Sequence, residues 1–280
     1  MTTITEIVKI LTDAGIEENE ANIEVKLLIE HFCNYSAKDL ILGKKLDSEK
    51  LEIVKEKALE RASTRKPIQH IIGFADSMGE KFIVNPSVLI PRDETELLVR
   101  KSVEIINKNN LKLALDVGTG SGCIACMVAK YSDCQIIGLD ISNDALQIAL
   151  DNASRLNLYN KAIFRKSDIF SNVKPSEKFD IIISNPPYIP ISEKDNLQAE
   201  VQYDPAEALF AEDKYGVNFY LRITSEAPRI LNSCGYLIFE LGINQAEKVS
   251  EIMKQFGFTD IEVIKDLAGI DRVIYGHLSA

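Results

Sequence analysis

Tryptophan is absent from this 280-residue sequence, and histidine occurs only three times, at His31, His70 and His277. The three histidines read as surface or packing residues. The five cysteines (Cys33, Cys123, Cys126, Cys134, Cys234) lie far apart except for one pair. So few imidazoles and scattered thiols leave little material for a metal centre, and none is expected. Cationic charge is also short, with 32 Lys and Arg against 42 Asp and Glu and a formal net charge of −10. Proteins that grip nucleic acid electrostatically carry a basic surplus, because phosphate neutralisation drives that binding; no nucleic-acid partner is expected. No apolar run approaches the roughly 20 residues that a bilayer-spanning helix needs. The first residues, Met1-Thr-Thr-Ile-Thr-Glu, show no basic segment leading into an apolar one, so no secretory signal is expected. These absences predict a reduced, cytoplasmic protein with no membrane partner.

What is present is enough apolar sequence, 46%, for a proper core. The length suggests one large domain and one small one. Ile4, Ile7, Val8 and Leu11 have the spacing of one buried helical face, with Gly15 as the stop. A second helix is predicted from Ala21 to Phe32. Ser36 can cap a short third one carrying Leu40, Ile41 and Leu42, ended by Gly43, and Asp47 or Ser48 starts a fourth with Leu51, Val54 and Ala58 on one side. The expected small domain is therefore a helical bundle over 1–66, a packing module or a surface for docking a partner. Pro67 breaks the helical texture, and 67–91, where Phe82 and Val84 alternate with their neighbours, reads as a β-hairpin linker. Asp93 and Glu96 have the spacing of a helix N-cap and its reciprocating acid.

The rest of a third domain, 92–280, alternates strand and helix. Short apolar runs at Leu113–Val117, Gln135–Leu139, Ala162–Arg165, Phe179–Ser184 and Tyr236–Leu241 fit buried parallel strands. Ile261–Ile264 and Arg272–Gly276 are joined too tightly for a crossover helix and should pair antiparallel at the sheet edge.

Asp116-Val-Gly118-Thr119-Gly120-Ser121-Gly122 closes the first of these strands and opens a helix. Open α/β sheets bind ligands at the carboxyl ends of their strands, and glycines let a ligand approach the backbone closely. Asp140 closes the second strand about 20 residues further on, where a carboxylate can accept from a ribose diol. Together they fit a nucleoside site; the loop alone leaves a bare structural turn as the lesser alternative. A dinucleotide fingerprint would need glycine at Cys123, and a Walker loop would need a lysine that is missing. The pattern instead resembles the first motif of class I S-adenosylmethionine-dependent methyltransferases. On that resemblance Asp168 lies near the adenine amino group and Ile169 against the ring. Cys123 and Cys126 have the spacing of a redox pair, but small side chains here also suit helix–sheet packing, and core cysteines are expected.

Ser184-Asn185-Pro186-Pro187-Tyr188 follows the fourth strand directly. It suits methylation of a conjugated –NH2 group, whose lone pair is delocalised and therefore unreactive. Two acceptors, the Asn185 side-chain oxygen and the Pro186 carbonyl, can hold both N–H bonds and turn the lone pair toward a methyl donor. Proline locks φ and removes competing donors, and Tyr188 can cover the planar group. The plainer alternative is a rigid proline turn ending a strand.

At this point the chain resembles the HemK-type release-factor glutamine methyltransferases over nearly its whole length. Pro67-Ile-Gln-His-Ile-Ile-Gly, Phe82-Ile-Val-Asn, Val88-Leu-Ile-Pro-Arg-Asp-Glu-Thr-Glu96, Asp116–Gly122, Asn185–Tyr188, Tyr203-Asp-Pro-Ala-Glu-Ala-Leu209, Phe239-Glu-Leu-Gly and Asp266-Leu-Ala-Gly-Ile-Asp-Arg-Val match its blocks in order. The resemblance implies a helical N-terminal domain, a hairpin linker and a class I methyltransferase domain built on a mostly parallel seven-stranded sheet. It implies S-adenosyl-L-methionine as cofactor, held by Gly118, Thr119, Gly120, Ser121, Gly122, Asp140, Asp168, Ile169 and Asn185. Asn185, Pro186, Pro187 and Tyr188 would bind the glutamine of a release factor's Gly-Gly-Gln loop, with Asn185, Pro186 and Tyr188 as the catalytic set. The enzyme is expected to act as a monomer. Three positions depart from the family pattern: Asp93 replaces proline, Ile169 an aromatic residue and Asp204 a glutamate. Rival readings are a ribosomal-protein glutamine methyltransferase, a nucleic-acid amino methyltransferase, and a cofactor-binding docking protein without turnover.

Overall fold

In the computed structural model, which describes residues 3–36, 38–39, 42–44 and 46–279, the first helix opens on a reciprocal cap. Thr3 Oγ1 accepts from the Glu6 amide at 3.2 Å, and the Glu6 carboxylate accepts from the Thr3 amide at 2.9 Å, satisfying two donors that a helix start leaves unpaired. Helices α1 (Ile4–Asp13), α2 (Glu18–Cys33) and α3 (Ser48–Thr64) pack around Ile7, Leu11, Val25, Leu28, Val54 and Ala58. The Ser36 hydroxyl does accept from the Asp39 amide, and Asp47 caps α3 as expected; Leu40 and Ile41 lie outside the described residues. Helix α3 stops at Thr64 on a left-handed Arg65, and Pro67 is the N-cap of the short helix α4 (Ile68–Ile72).

The chain packs as two units. One runs to Phe74 and takes in Gln198–Tyr203; the other holds Ala75–Leu197 and everything from Asp204 onward. Within the first, Arg61 is 1% exposed and forks onto Glu24, with Nε at 3.0 Å and Nη2 at 2.9 Å, while Nη1 reaches Glu200 at 2.8 Å. A buried guanidinium is tolerable only with such partners.

The second unit begins within β1 (Phe74–Ser77), which pairs with β2 (Glu80–Ile83) as a two-stranded sheet turning through Met78 and Gly79, both left-handed. Helix α5 (Thr95–Asn109) follows. The expected Asp93–Glu96 capping box does not form: the N-cap is Glu94, without a side-chain cap bond. Glu96 is engaged elsewhere, accepting from the Met78 amide at 2.7 Å. Then come β3 (Leu113–Val117), α6 (Cys123–Tyr131), β4 (Gln135–Asp140), α7 (Asn143–Arg155), β5 (Ala162–Lys166), β6 (Phe179–Ser184), the two-residue β7 (Ile189–Pro190), α8 (Ala206–Leu209), β8 (Phe210–Ala211), α9 (Asn218–Ile230), β9 (Leu231–Glu240), α10 (Ala246–Gln255), β10 (Phe258–Lys265) and β11 (Asp271–Leu278).

Seven strands form one sheet in the order β10-β11-β9-β6-β3-β4-β5. β3, β4, β5, β6 and β9 run parallel, and β11 pairs antiparallel with β9 and β10, so the short connection before Asp271 does make an antiparallel edge. Alternation along each strand feeds two cores. Ile181 and Ile183 join Cys126, Met127 and Ile136 on one face; Ile182 joins Leu115, Tyr220 and Phe239 on the other. Cys123 and Cys126 are buried there, and burial pushes the Cys123 thiol up to about 12, which suits packing and not redox chemistry. The order reverses between β3 and β6, and the crevice beyond their carboxyl ends is where such sheets bind ligands. Among the described residues no helix is long and apolar enough to cross a membrane.

Candidate active site

The glycine loop leaves β3 at Val117 and is held by backbone bonds from the Gly118 and Thr119 amides to the Leu139 carbonyl at 2.8 and 2.9 Å. Gly118 and Gly120 are left-handed, with φ of +73° and +52°, and nothing lies within 4 Å of where a Cβ would stand. That side of the loop is open backbone. Gly122 differs: a Cβ there would meet the Ala149 Cβ at 2.9 Å, so this glycine serves the close approach of α7. Ser121 is tied through its carbonyl to Asn152 Nδ2 at 2.9 Å, and the same side chain accepts from the Ile83 amide at 2.7 Å. Asn152 thus joins β2 to the loop, a role no local pattern announced.

Two carboxyls underlie the loop. Asp140, closing β4, accepts from the Gly120 amide and from the Ser142 amide, each at 2.9 Å; burial raises its pKa against these donors. Asp116 is fully buried. Its Oδ2 accepts from Thr119 Oγ1 at 2.5 Å, while Oδ1 has no hydrogen-bond partner. Burial first, and the Asp140 charge in addition, push Asp116 up to about 7. An open glycine backbone, a buried carboxyl oxygen without a partner and an aspartate closing β4 fit S-adenosylmethionine, whose methionine end carries an ammonium group and whose ribose offers a diol.

Asp168 and Ile169 lie past β5, one strand further out. The Asp168 carboxylate accepts from Arg222 Nη2 at 3.0 and 3.2 Å. Ile169 is buried in the core with Val117 and Leu139, at φ +47°, a costly conformation for a β-branched residue.

The Asn185–Tyr188 segment leaves β6 beside the loop. Val117 pairs with Ser184 in register, and Ser184 Oγ donates to the Val117 carbonyl at 2.7 Å, pinning the two strand ends together. Asn185 Nδ2 points at Thr95 Oγ1, 3.4 Å away, and Thr95 donates to Glu240 Oε2 at 2.7 Å. Glu240 is 2% exposed, and burial pushes it up to about 7. The Tyr188 carbonyl accepts from Gln245 Nε2 at 2.9 Å, and that amide also holds the Tyr215 and Gly216 carbonyls. Gln245 Oε1 in turn accepts from the Gly242 amide at 3.0 Å, and the Tyr220 hydroxyl, whose proton goes to the Glu240 carbonyl at 2.9 Å, lies 3.2 Å from it. Burial lifts the Tyr188 phenol to about 12, so it stays neutral. The fold therefore unites Gly118–Gly122, Asp140 and Asn185–Tyr188 on adjoining strands β4, β3 and β6. Thr95, Glu240 and Gln245 support them from distant parts of the sequence.

Residues 2–73 match a family model described as the PrmC N-terminal domain, and residues 108–268 match one described as a methyltransferase domain. The release factor glutamine methyltransferase of Koribacter versatilis is 39% identical over 79% of this chain and 78% of its own length. That of Geobacter sulfurreducens is 36% identical over 96% of this chain and 93% of its own. Among solved structures, a methyltransferase from Pyrococcus furiosus superposes with a TM-score of 0.52 at 21% identity, covering 72% of this chain and 91% of that one, a likeness of fold. Shared sequence along both the helical region and the catalytic sheet places this chain in the release factor glutamine methyltransferase family.

Proposed function

We propose that the enzyme transfers a methyl group from S-adenosylmethionine to the side-chain nitrogen of the glutamine in the Gly-Gly-Gln loop of a peptide-chain release factor. The observation that carries this reading is the orientation of Asn185. Its –NH2 is turned to Thr95 Oγ1, which itself donates to Glu240, and this leaves Oδ1 as the acceptor. The Pro186 carbonyl is the second acceptor, and proline on both sides of that peptide fixes its direction. Held by both N–H bonds, a glutamine amide is turned edge-on and its nitrogen lone pair is directed out of conjugation. Orientation of this kind is worth up to about 7–11 kcal/mol of barrier. Tyr188, neutral and anchored by Gln245, covers the planar group and keeps water away. The cofactor, when bound, supplies an electrophilic methyl on a sulfonium. As the new N–C bond forms, the nitrogen becomes strongly acidic and its surplus proton passes to solvent, so no strong base is required.

Asp140 would take the ribose hydroxyls, and Asp116 would balance the ammonium group of the methionine end held over Gly118, Thr119, Gly120, Ser121 and Gly122, with Asp168 and Ile169 toward the adenine. We assign the helical unit to docking of the release factor. It exposes Ile23, Ile53 and Leu59, apolar side chains without a core role. Replacing Ile23 and Leu59 by Asp is expected to raise KM for the factor at unchanged kcat; an unchanged KM would remove that assignment. The free thiols Cys33, Cys123, Cys126, Cys134 and Cys234 suit a reducing cytoplasm, and a monomer is the working form this reading implies. Mass spectrometry of a release factor after incubation with enzyme and cofactor tests the whole reading. A gain of one CH2 on the glutamine of the Gly-Gly-Gln peptide is expected, and label entering only a ribosomal protein or DNA would overturn it.

A further inference from the structure

A carboxamide has two ends of nearly equal size and opposite hydrogen-bonding character. If Asn185 turned over, its –NH2 would face the –NH2 of the substrate glutamine, donor against donor, and the site would be dead. Something must choose the productive end.

We propose that Glu240, acting through Thr95, is the positioning residue that holds the Asn185 oxygen toward the substrate glutamine. This inference rests on the reading of Asn185 as an acceptor. Thr95 has one hydroxyl proton and gives it to Glu240 Oε2 at 2.7 Å. Toward Asn185, 3.4 Å away, it presents only lone pairs. The Glu240 carboxylate also feels the Asn185 side chain, which favours its ionised form. The inner end of Asn185 therefore faces two acceptors and no donor, and only –NH2 is accommodated there. Three elements meet in this relay: Thr95 opens α5, Asn185 follows β6 and Glu240 closes β9, where Ser184 pairs with Phe239 in register. The Tyr220 hydroxyl fixes the Glu240 main-chain carbonyl at 2.9 Å, so the backbone carrying the carboxylate is itself anchored.

The relay works only while Glu240 is ionised. Once protonated, it can donate to Thr95, whose hydroxyl is then free to donate to Asn185 Oδ1, and both orientations become available. Burial pushes Glu240 up to about 7; the Glu94 charge adds to the rise, and Arg272 opposes it. Arg272 is itself held by Asp266 at 2.9 Å and Glu94 at 3.4 Å. Tyr188 and Cys123 also face the carboxyl, and both are neutral.

The test uses the full chain and an intact release factor at saturating cofactor, with kcat measured from about pH 6 to about pH 9. Wild type is expected to rise along an acid limb bending near the Glu240 pKa. Glu240→Gln and Thr95→Val should lose roughly 10- to 100-fold in kcat at the upper plateau, with cofactor Kd little changed and that limb gone. Thr95→Ser, which keeps the hydroxyl, should recover most of the rate; if Glu240→Gln does not fold, the Thr95→Val and Thr95→Ser pair decides. Wild-type kcat in Glu240→Gln or Thr95→Val, or a loss that leaves the acid limb intact, overturns the proposal. Asn185→Ala run in parallel separates the two ideas. If it keeps turnover, the acceptor reading itself fails; if it loses turnover while Glu240→Gln and Thr95→Val keep theirs, only the orienting role does.

Discussion

Gly216 lies against the outer end of the Asn185–Tyr188 segment, and adding one methyl group there measures how strictly that segment must be placed. A Cβ on Gly216 would stand 2.0 Å from the Tyr188 carbonyl oxygen and 2.5 Å from Gln245 Nε2. Real contacts of this kind do not fall below about 3 Å, so the Tyr188 carbonyl and its Gln245 partner must retreat by about 1 Å. Gly216→Ala therefore carries two costs. The left-handed backbone, at φ +69°, costs an alanine about 1–2 kcal/mol, and overpacking adds about 1–3 kcal/mol. The effect on catalysis is separate: displacement of about 1 Å in a positioning group is worth roughly 100-fold in rate. Gly269 provides the control. It has the same left-handed backbone, φ +82°, with nothing within 4 Å of a Cβ, in the turn between β10 and β11. Both variants should melt at lower temperature than wild type, but only Gly216→Ala should lose kcat, with cofactor affinity by calorimetry nearly unchanged. Equal and normal kcat in the two variants would refute the claim that the placement of Tyr188 limits the reaction.

Asp140→Ala is expected to weaken cofactor binding roughly 10- to 100-fold by titration calorimetry, through loss of charge-assisted bonds to the ribose and of the Gly120 anchor at 2.9 Å; unchanged affinity would remove Asp140 from the ribose. Arg61→Ala leaves Glu24, 4% exposed, without its guanidinium. Breaking a buried pair in this way costs about 3–5 kcal/mol, to be read in scanning calorimetry; an unaltered melting curve would contradict the structural role given to this cluster. Burial raises Glu240 to about 7 in the folded protein, above its value in an unfolded chain. The folded state then keeps a proton that the unfolded chain has already released between about pH 4 and about pH 7, and this contribution to stability declines as pH rises through that window. Glu240→Gln should accordingly be more stable than wild type at about pH 8, by about 3 kcal/mol, with the difference vanishing near about pH 4; a destabilised variant at the higher pH would contradict this.

Much of the fold was legible because it rests on local chemistry. Short apolar runs bounded by polar residues marked the strands, including the antiparallel edge after Asp271. Gly118, Gly120 and Asn185–Tyr188 stood out because an open left-handed loop and a φ-locked acceptor each require particular residue types. The roles of the site's supports were not legible, although Thr95 and Glu240 lie in blocks that the resemblance covers. Thr95, Glu240, Asn152 and Gln245 act across the sheet through contacts scores of residues apart, and a single buried polar residue leaves no period in the sequence. Asp93 and Glu96 had the spacing of a cap, yet the Met78 amide claimed Glu96 instead. Nor does anything in 198–203 announce that Glu200 completes an ion cluster with Arg61 and Glu24 in the helical unit.

The most direct measurement is single-turnover methylation of an intact release factor by Asn185→Ala, with cofactor affinity measured on the same preparation. Loss of one fixed acceptor should slow transfer by about 100- to 1,000-fold, the scale seen when one preorganised hydrogen-bonding group is removed from a transition state, while cofactor Kd stays within about threefold of wild type. Transfer at the wild-type rate would contradict the account, because the glutamine amide would then be activated without the Asn185 oxygen.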